Sequence, residues 1–106
     1  MELYLPDVNW HSQRWTSAGQ IKKILEEASE VSEALATGDL VNAIRETLDT
    51  IQTGYTMLNI LQAEWEQEYG SPCPLKRFIA EHEAKLKRKG YLEDNRDPYA
   101  GHKEVD

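Results

Sequence analysis

The fold is decided by residues 17–61, which read SAGQIKKILEEASEVSEALATGDLVNAIRETLDTIQTGYTMLNIL. Apolar residues recur in this stretch at steps of three and four, which is the period of an amphipathic helix. The pattern is interrupted at Gly38 and Asp39: a glycine suits the left-handed position after a helix, and an aspartate suits the cap of the next one. The stretch therefore predicts two helices, the first capped by Ser17 and the second starting at Leu40, folded into an antiparallel hairpin.

The rest of the chain adds a third helix. The apolar period of the second helix continues to about Tyr69, and residues 70–74, with the sequence GSPCP, then break it. A third amphipathic pattern starts at Leu75, or at the proline before it, and runs to Lys89, with Gly90 placed to end it. No stretch of useful length alternates apolar and polar residues as a half-buried strand does. The sequence predicts an all-α fold, a helical hairpin plus a third long helix.

The length of the chain limits the size of its hydrophobic core. The 106 residues fit one small domain. We expect a single all-α domain over residues 1–92 and a flexible polar tail over residues 93–106. Three helices in so short a chain bury limited apolar area. Oligomerisation is therefore expected to complete a four-helix-type bundle.

The composition of the chain limits the kinds of partner that it is expected to bind. The formal net charge of −7 and the isoelectric point near 4.9 argue against a general nucleic-acid binder, which shows a basic face. The apolar runs are far shorter than the ~20 residues that span a bilayer, and the N-terminus does not resemble a signal peptide. Cys73 is the single cysteine, so the chain offers no internal disulfide and no zinc framework. We expect a cytoplasmic protein that binds neither nucleic acid nor membrane.

Four carboxylates form two pairs on the predicted hairpin. Glu27 and Glu30 are three residues apart, as are Glu46 and Asp49, so each pair lies on one face of its helix. Glu30 and Glu46 each lie eight residues from Gly38, and the outer members of the two pairs each lie eleven residues from it. At about 1.5 Å per residue, corresponding members are level across the hairpin. The spacing predicts that the four groups converge.

Carboxylates that converge where water is excluded repel one another strongly unless a cation neutralises them. Oxygen ligands of this kind select Mg²⁺, Mn²⁺ or Ca²⁺ rather than soft metals. The alternative is that these groups lie on solvated helix faces, as many of the 19 acidic residues do. Neighbouring apolar residues such as Ile24 and Leu48 favour a position beside the helix–helix groove. Spacing alone leaves both interpretations open.

The carboxylates also carry a family resemblance. Glu26-Glu27-x-x-Glu30, a gap of 15 residues and Glu46-x-x-Asp49 resemble the EExxE…ExxD motif of MazG-like nucleoside triphosphate pyrophosphohydrolases. The resemblance extends over most of the chain. It implies a helical bundle that assembles as a homodimer or homotetramer. It also implies Mg²⁺-dependent hydrolysis, with Mn²⁺ as the alternative metal, of a nucleoside triphosphate between its α and β phosphates, which yields a monophosphate and pyrophosphate.

The resemblance assigns roles by position. The metal ligands and catalytic residues that it implies are Glu27, Glu30, Glu46 and Asp49. Glu26 points about 100° away from Glu27 on the helix, so a supporting role is expected for it.

Two further groups are candidates for substrate binding. The end of the third helix is similar to the basic tail of the family's last helix, which implies that Lys85, Arg88 and Lys89 bind phosphate oxygens. Glu83 stands where the family usually has an asparagine, so that polar contact is not carried over. The alternative is that these cations only complement the helix dipole. Trp15 is a candidate to stack on a nucleobase, against the alternative that it packs the N-terminal segment on the bundle.

Other functions are compatible with the same carboxylates. The resemblance extends to a related hydrolase of the same fold, which cleaves phosphoribosyl-ATP with the same metal chemistry. A non-catalytic helical module that binds a cation or a basic partner is an alternative from a different class, because ligands alone do not prove catalysis. A purely structural bundle is the third alternative.

Overall fold

The computed structural model describes residues 1–92, which form three α-helices and no strand. The helices are α1 (Ser17–Ala36), α2 (Leu40–Tyr69) and α3 (Leu75–Arg88). The all-α prediction is confirmed. The chain divides into two compact units, Met1–Cys73 with α1 and α2, and a second unit that begins at Pro74 and contains α3. Residues 93–106, for which a flexible tail was predicted, lie outside the described residues.

The start of α1 differs by one residue from the prediction. Thr16 is the N-cap, because its backbone is extended and its hydroxyl accepts a hydrogen bond from the Gly19 amide at 3.2 Å. Ser17 is instead the first helical residue. Its amide and its hydroxyl both donate to the carboxylate of Glu64 on α2, at 3.0 and 2.7 Å. The prediction of Ser17 as the cap was wrong because a more distant partner engages that hydroxyl.

The turn between α1 and α2 forms as predicted. Gly38 has a φ of 74°, which a glycine adopts without steric cost. The Asp39 amide donates to the carbonyl of Ala34, closing the end of α1. The Asp39 side chain then accepts from the Asn42 amide at 3.0 Å and caps α2. These local bonds hold the two helices in a hairpin, with α1 packed along α2.

The interior of the hairpin is small and polar rather than strongly apolar. The buried residues of the described part of the chain are Gln20, Glu27, Ala34, Ala43, Thr56 and Ile60. Most large apolar side chains of the two helices point away from this interior and are exposed, among them Ile21, Leu25, Leu35, Ile44, Leu48, Ile51, Leu58 and Leu61. The helices therefore present polar groups to each other and leave an apolar surface uncovered.

The N-terminal segment is tied to α2. The carbonyl of Pro6 accepts a hydrogen bond from the Gln52 side chain at 2.8 Å, and the carboxylate of Asp7 accepts one from the Tyr55 hydroxyl at 2.9 Å. The segment then makes a turn in which the Trp15 amide donates to the carbonyl of Trp10. This course brings residues 8–15 against the hairpin near the start of α1.

The second unit is built around α3. Three basic residues, Lys85, Lys87 and Arg88, lie in its last turn, where they complement the helix dipole. Gly90 follows with a φ of 80° and ends the helix, as predicted. Within residues 1–92, no helix combines the length and hydropathy needed to cross a bilayer.

Candidate metal centre

Three of the four predicted carboxylates meet across the hairpin. Glu27 on α1 and Glu46 and Asp49 on α2 each offer one oxygen, and these oxygens all lie within 4.8 Å of one another. Oxygens on opposite sides of a Mg²⁺ ion are about 4.2 Å apart, since each Mg²⁺–O bond is 2.0–2.1 Å long. Small side-chain adjustments therefore bring the group to coordination distance. Glu27 is buried and Asp49 is exposed, so the group is open on one side.

Glu27 has an incomplete hydrogen-bond shell. Its side chain is buried between the helices, and the residue retains only 8% of its exposure. Oε2 forms an ion pair with Nζ of Lys23 at 3.2 Å, whereas Oε1 is buried and accepts no hydrogen bond within residues 1–92 while Glu30 is ionised. A buried carboxylate oxygen without a partner is costly. A cation bound among the three oxygens would supply the missing interaction.

Lys23 offsets part of the negative charge. Its Nζ also contacts Oε1 of Glu26 at 3.1 Å, and the two glutamates raise the pKa of Lys23, Glu26 more than Glu27. Glu26 is exposed, and it shares Lys23 with the buried Glu27 as an ion-pair partner. The side chain of Lys23 remains about half exposed, at 52%, so water could solvate its ammonium group if another cation took its place at Glu27.

Glu30 stands beside the three-oxygen group rather than within it. Its pKa is raised to about 7, first because its protonated form hydrogen-bonds to Glu27, and then because the negative charge of Glu46 is close. Such a shift is the response of neighbouring carboxylates whose charges are not compensated. Glu30 is therefore close enough to Glu27 and Glu46 to interact with both.

The donor set fits a hard divalent cation. All the groups are carboxylates, with neither imidazole nor thiolate among them, and this is the chemistry that Mg²⁺ and Mn²⁺ prefer. The unpartnered Oε1 of Glu27 adds support, because it is a buried acceptor that a cation could satisfy. The residues present therefore fit the implied metal.

A cavity of about 520 Å³ lies on the side of the hairpin that carries Lys23. It lies between the N-terminal segment and the two helices, and Trp15 and Lys23 contribute to its wall. Lys23 also forms an ion pair with Glu27, so this residue links the cavity wall to the carboxylate group. Trp15, one of the predicted substrate-binding residues, thus lies at a cavity of the size that small ligands occupy.

The sequence interpretation missed other residues that line this cavity, chiefly Gln20, Thr53 and Thr56. Gln20 lies seven residues before Glu27 and therefore on the same face of α1. The sequence signal that could have found Gln20 is its helical spacing from Glu27, which puts a polar residue on the face that carries the carboxylate.

The three predicted phosphate-binding cations belong to the second unit. Lys85, Arg88 and Lys89 are exposed at the C-terminal end of α3. Their role in phosphate binding stays a prediction.

Comparisons of the chain with protein-family models, with curated proteins and with solved structures find no match. The resemblance in the motif and the geometry of the carboxylates are therefore the two grounds for assigning a function.

Proposed function

We propose that this protein is a Mg²⁺-dependent nucleoside triphosphate pyrophosphohydrolase, which cleaves its substrate between the α and β phosphates. One observation carries the proposal: Glu27, Glu46 and Asp49 converge from two helices, with a buried oxygen of Glu27 left without a partner. Mn²⁺ is the alternative metal. The order and spacing of the EExxE…ExxD motif support the assignment of the reaction.

The carboxylates have separate roles in this proposal. Glu27, Glu46 and Asp49 hold the metal, and Glu30 stands beside them. Bound Mg²⁺ supplies charge neutralisation for the phosphates and for the charge that develops on them during cleavage. Glu30 is the carboxylate left outside the three-oxygen group, so we assign it the proton that the attacking water loses.

Cations complete the substrate site. Lys23 pairs with Glu27 and lines the cavity, so if a metal replaced it at Glu27 its ammonium group would be available to the phosphates of the substrate. Lys85, Arg88 and Lys89 are assigned to phosphate oxygens through the resemblance of their segment. A triphosphate carries enough charge to use several such partners.

The proposal includes a homodimer or homotetramer. Ile44, Leu48, Ile51 and Leu58 recur along α2 at steps of three, four and seven, and all are exposed in the single chain. An apolar stripe of this kind is normally covered by another helix. A second copy of the hairpin would cover it and complete the predicted four-helix bundle.

Product analysis tests the proposed reaction. The purified protein is incubated with a panel of ribo- and deoxyribonucleoside triphosphates, with Mg²⁺ or with EDTA, and the products are separated by chromatography. We expect monophosphate and pyrophosphate in equal amounts, only with the metal. The Glu46→Gln variant is expected to lose at least about 100-fold in rate, the scale of losing a catalytic metal or base.

A matched control uses the same substitution elsewhere on α2. Glu68 is exposed and lies far along the helix from the carboxylates, so Glu68→Gln should keep full activity. Diphosphate and inorganic phosphate as products would contradict cleavage at the α–β bond. Phosphoribosyl-ATP is tested in the same assay, and its turnover in the absence of any triphosphate turnover would assign the related hydrolase. Metal binding without any turnover would assign the non-catalytic module.

A further inference from the structure

The cavity beside the carboxylates contains a buried amide in a fixed orientation. Gln20 is only 5% exposed and lines the cavity. Its Nε2 donates a hydrogen bond to the backbone carbonyl of Thr53 at 3.0 Å. A carbonyl oxygen can only accept, so this bond determines which end of the amide carries the nitrogen. Oε1 of Gln20 is therefore directed elsewhere, and it accepts no hydrogen bond from the described part of the chain.

The surroundings of Gln20 suit a flat, partly apolar ligand. Trp15 and Val8 contribute apolar walls, and Thr56 adds a hydroxyl from the buried side of α2. A cavity of about 520 Å³ has room for a nucleoside. An aromatic wall is favourable for any base because every base has a π face. Discrimination between bases must therefore come from the polar groups.

The position of the cavity leaves a path for the sugar and phosphates of a nucleotide whose base it holds. Gln20, Lys23 and Glu27 follow one another at steps of three and four on the same face of α1. Gln20 and Glu27 are thus separated by about 10 Å along the helix. A base at Gln20 would direct its sugar and phosphates past Lys23 towards the carboxylates.

We propose that this cavity is the base pocket and that Gln20 determines its specificity, with Oε1 accepting a hydrogen bond from the exocyclic amino group of the base. The inference rests on the proposed function for the identity of the ligand. Bases with an amino group, such as cytosine and adenine, place a donor against Oε1. Uracil and hypoxanthine place a carbonyl oxygen there instead, and two acceptors facing each other leave both without a partner.

Two matched pairs of nucleotides isolate this contact. Deoxycytidine and deoxyuridine triphosphates differ at the amino position, and so do deoxyadenosine and deoxyinosine triphosphates. We would measure binding of their non-hydrolysable α,β-imido analogues by calorimetry with Mg²⁺, together with kcat/KM for the hydrolysable forms. A preference of about 10- to 100-fold for the amino-bearing member of at least one pair is expected. Equal binding within both pairs, or a preference for the carbonyl-bearing members, would overturn the inference.

The variant Gln20→Met tests the residue itself. Methionine has a similar length and no acceptor of comparable strength, so the ratio within the preferred pair should fall to about threefold or less. Gln62→Met, the same substitution on α2 outside the cavity lining, should keep the wild-type ratio. An unchanged ratio in a folded Gln20→Met protein would assign the discrimination to another group. If that variant does not fold, the two nucleotide pairs on the wild-type protein still decide the outcome.

The role of Gln20 and the proposed hydrolysis can each fail without the other. Hydrolysis of both members of each pair at equal rates would support the enzyme and reject the role of Gln20. Selective binding of the amino-bearing analogues without hydrolysis of any triphosphate would support Gln20 as the reader of the base and reject the enzyme.

Discussion

Glu30 reports the electrostatic state of the candidate site. Hydrogen bonding to Glu27 and the charge of Glu46 raise its pKa from 4.5 to about 7. An acid whose pKa is higher in the folded protein than in the unfolded chain binds its proton more tightly in the folded protein. The folded state is therefore favoured as pH falls from above 7 towards 4.5, and loses stability as pH rises through about 7.

This shift predicts the pH dependence of the metal-free protein. In EDTA, the melting temperature should rise as the pH is lowered from about 8 to about 5. The Glu30→Gln variant should melt higher than the wild type at about pH 8 and show a flatter profile. Thermal denaturation followed by circular dichroism measures both effects. A Glu30→Gln profile parallel to that of the wild type, or to that of Glu68→Gln, would show that Glu30 is not the titrating group.

The division of roles among the carboxylates predicts different kinetics for two variants. Glu30→Gln should lower kcat by about 100- to 10,000-fold, the range for losing a general base, with little change in the Mg²⁺ concentration that gives half-maximal rate. Asp49→Asn should instead raise that Mg²⁺ concentration, because it weakens a metal ligand. Steady-state rates over a Mg²⁺ titration separate the two. Similar Mg²⁺ profiles for both variants would reject the division.

At the scale of the elements, a long-range clamp joins the start of α1 to α2. The Glu64 carboxylate accepts from both the amide and the hydroxyl of Ser17, and these bonds lower the pKa of Glu64. The carboxylate also lies at the positive end of the α1 dipole. The clamp thus fixes the start of α1, which lines the cavity, against the far half of α2.

The clamp predicts a stability loss on substitution. Glu64→Gln should lower the free energy of unfolding by about 1–2 kcal/mol at neutral pH, the range for a lost helix cap. Since the pKa of Glu64 is lowered in the folded protein, its contribution is present above pH 4.5 and is lost as the pH falls through the folded value. Urea unfolding at about pH 7 and about pH 3 measures both. Equal losses for Glu64→Gln and Glu68→Gln would contradict the clamp.

Features that depend on residues close together in the sequence could be predicted, and features that depend on residues far apart could not. Helix ends follow from caps and glycines within a few residues, so the ends of α2 agree with the prediction and α1 shifts only because Glu64 engages Ser17. The level placement of Glu27 and Asp49 follows from counting about Gly38. The cavity could not be predicted, because it forms where residues 8–15 cross two helices that are distant in sequence.

At the scale of the whole molecule, the exposed apolar surface is the feature that bears on association. Leu58 is 48% exposed on α2, and several large apolar residues share its exposure. Few large apolar side chains of the described residues are fully buried, and Ile60 is the most buried of them. A chain with so small a core would gain stability by association.

Association predicts the behaviour of a surface variant. Leu58→Glu places a charge on the surface to be covered, so it should shift the protein to monomer and lower its melting temperature. Glu68→Gln should leave both unchanged. Size-exclusion chromatography with light scattering measures the mass over a concentration series. A wild type that is monomeric at all concentrations would contradict the proposed oligomer.

We propose that the hairpin gathers its carboxylates into one divalent-cation site. Titration with Mn²⁺ followed by electron paramagnetic resonance tests it most directly, because the signal of the free ion fades on binding. We predict saturable binding by the wild type and by Glu68→Gln, and loss of that binding in Glu27→Gln and Asp49→Asn, since both supply oxygens to the group. Equal Mn²⁺ binding by all four proteins, or none by the wild type, would contradict the account.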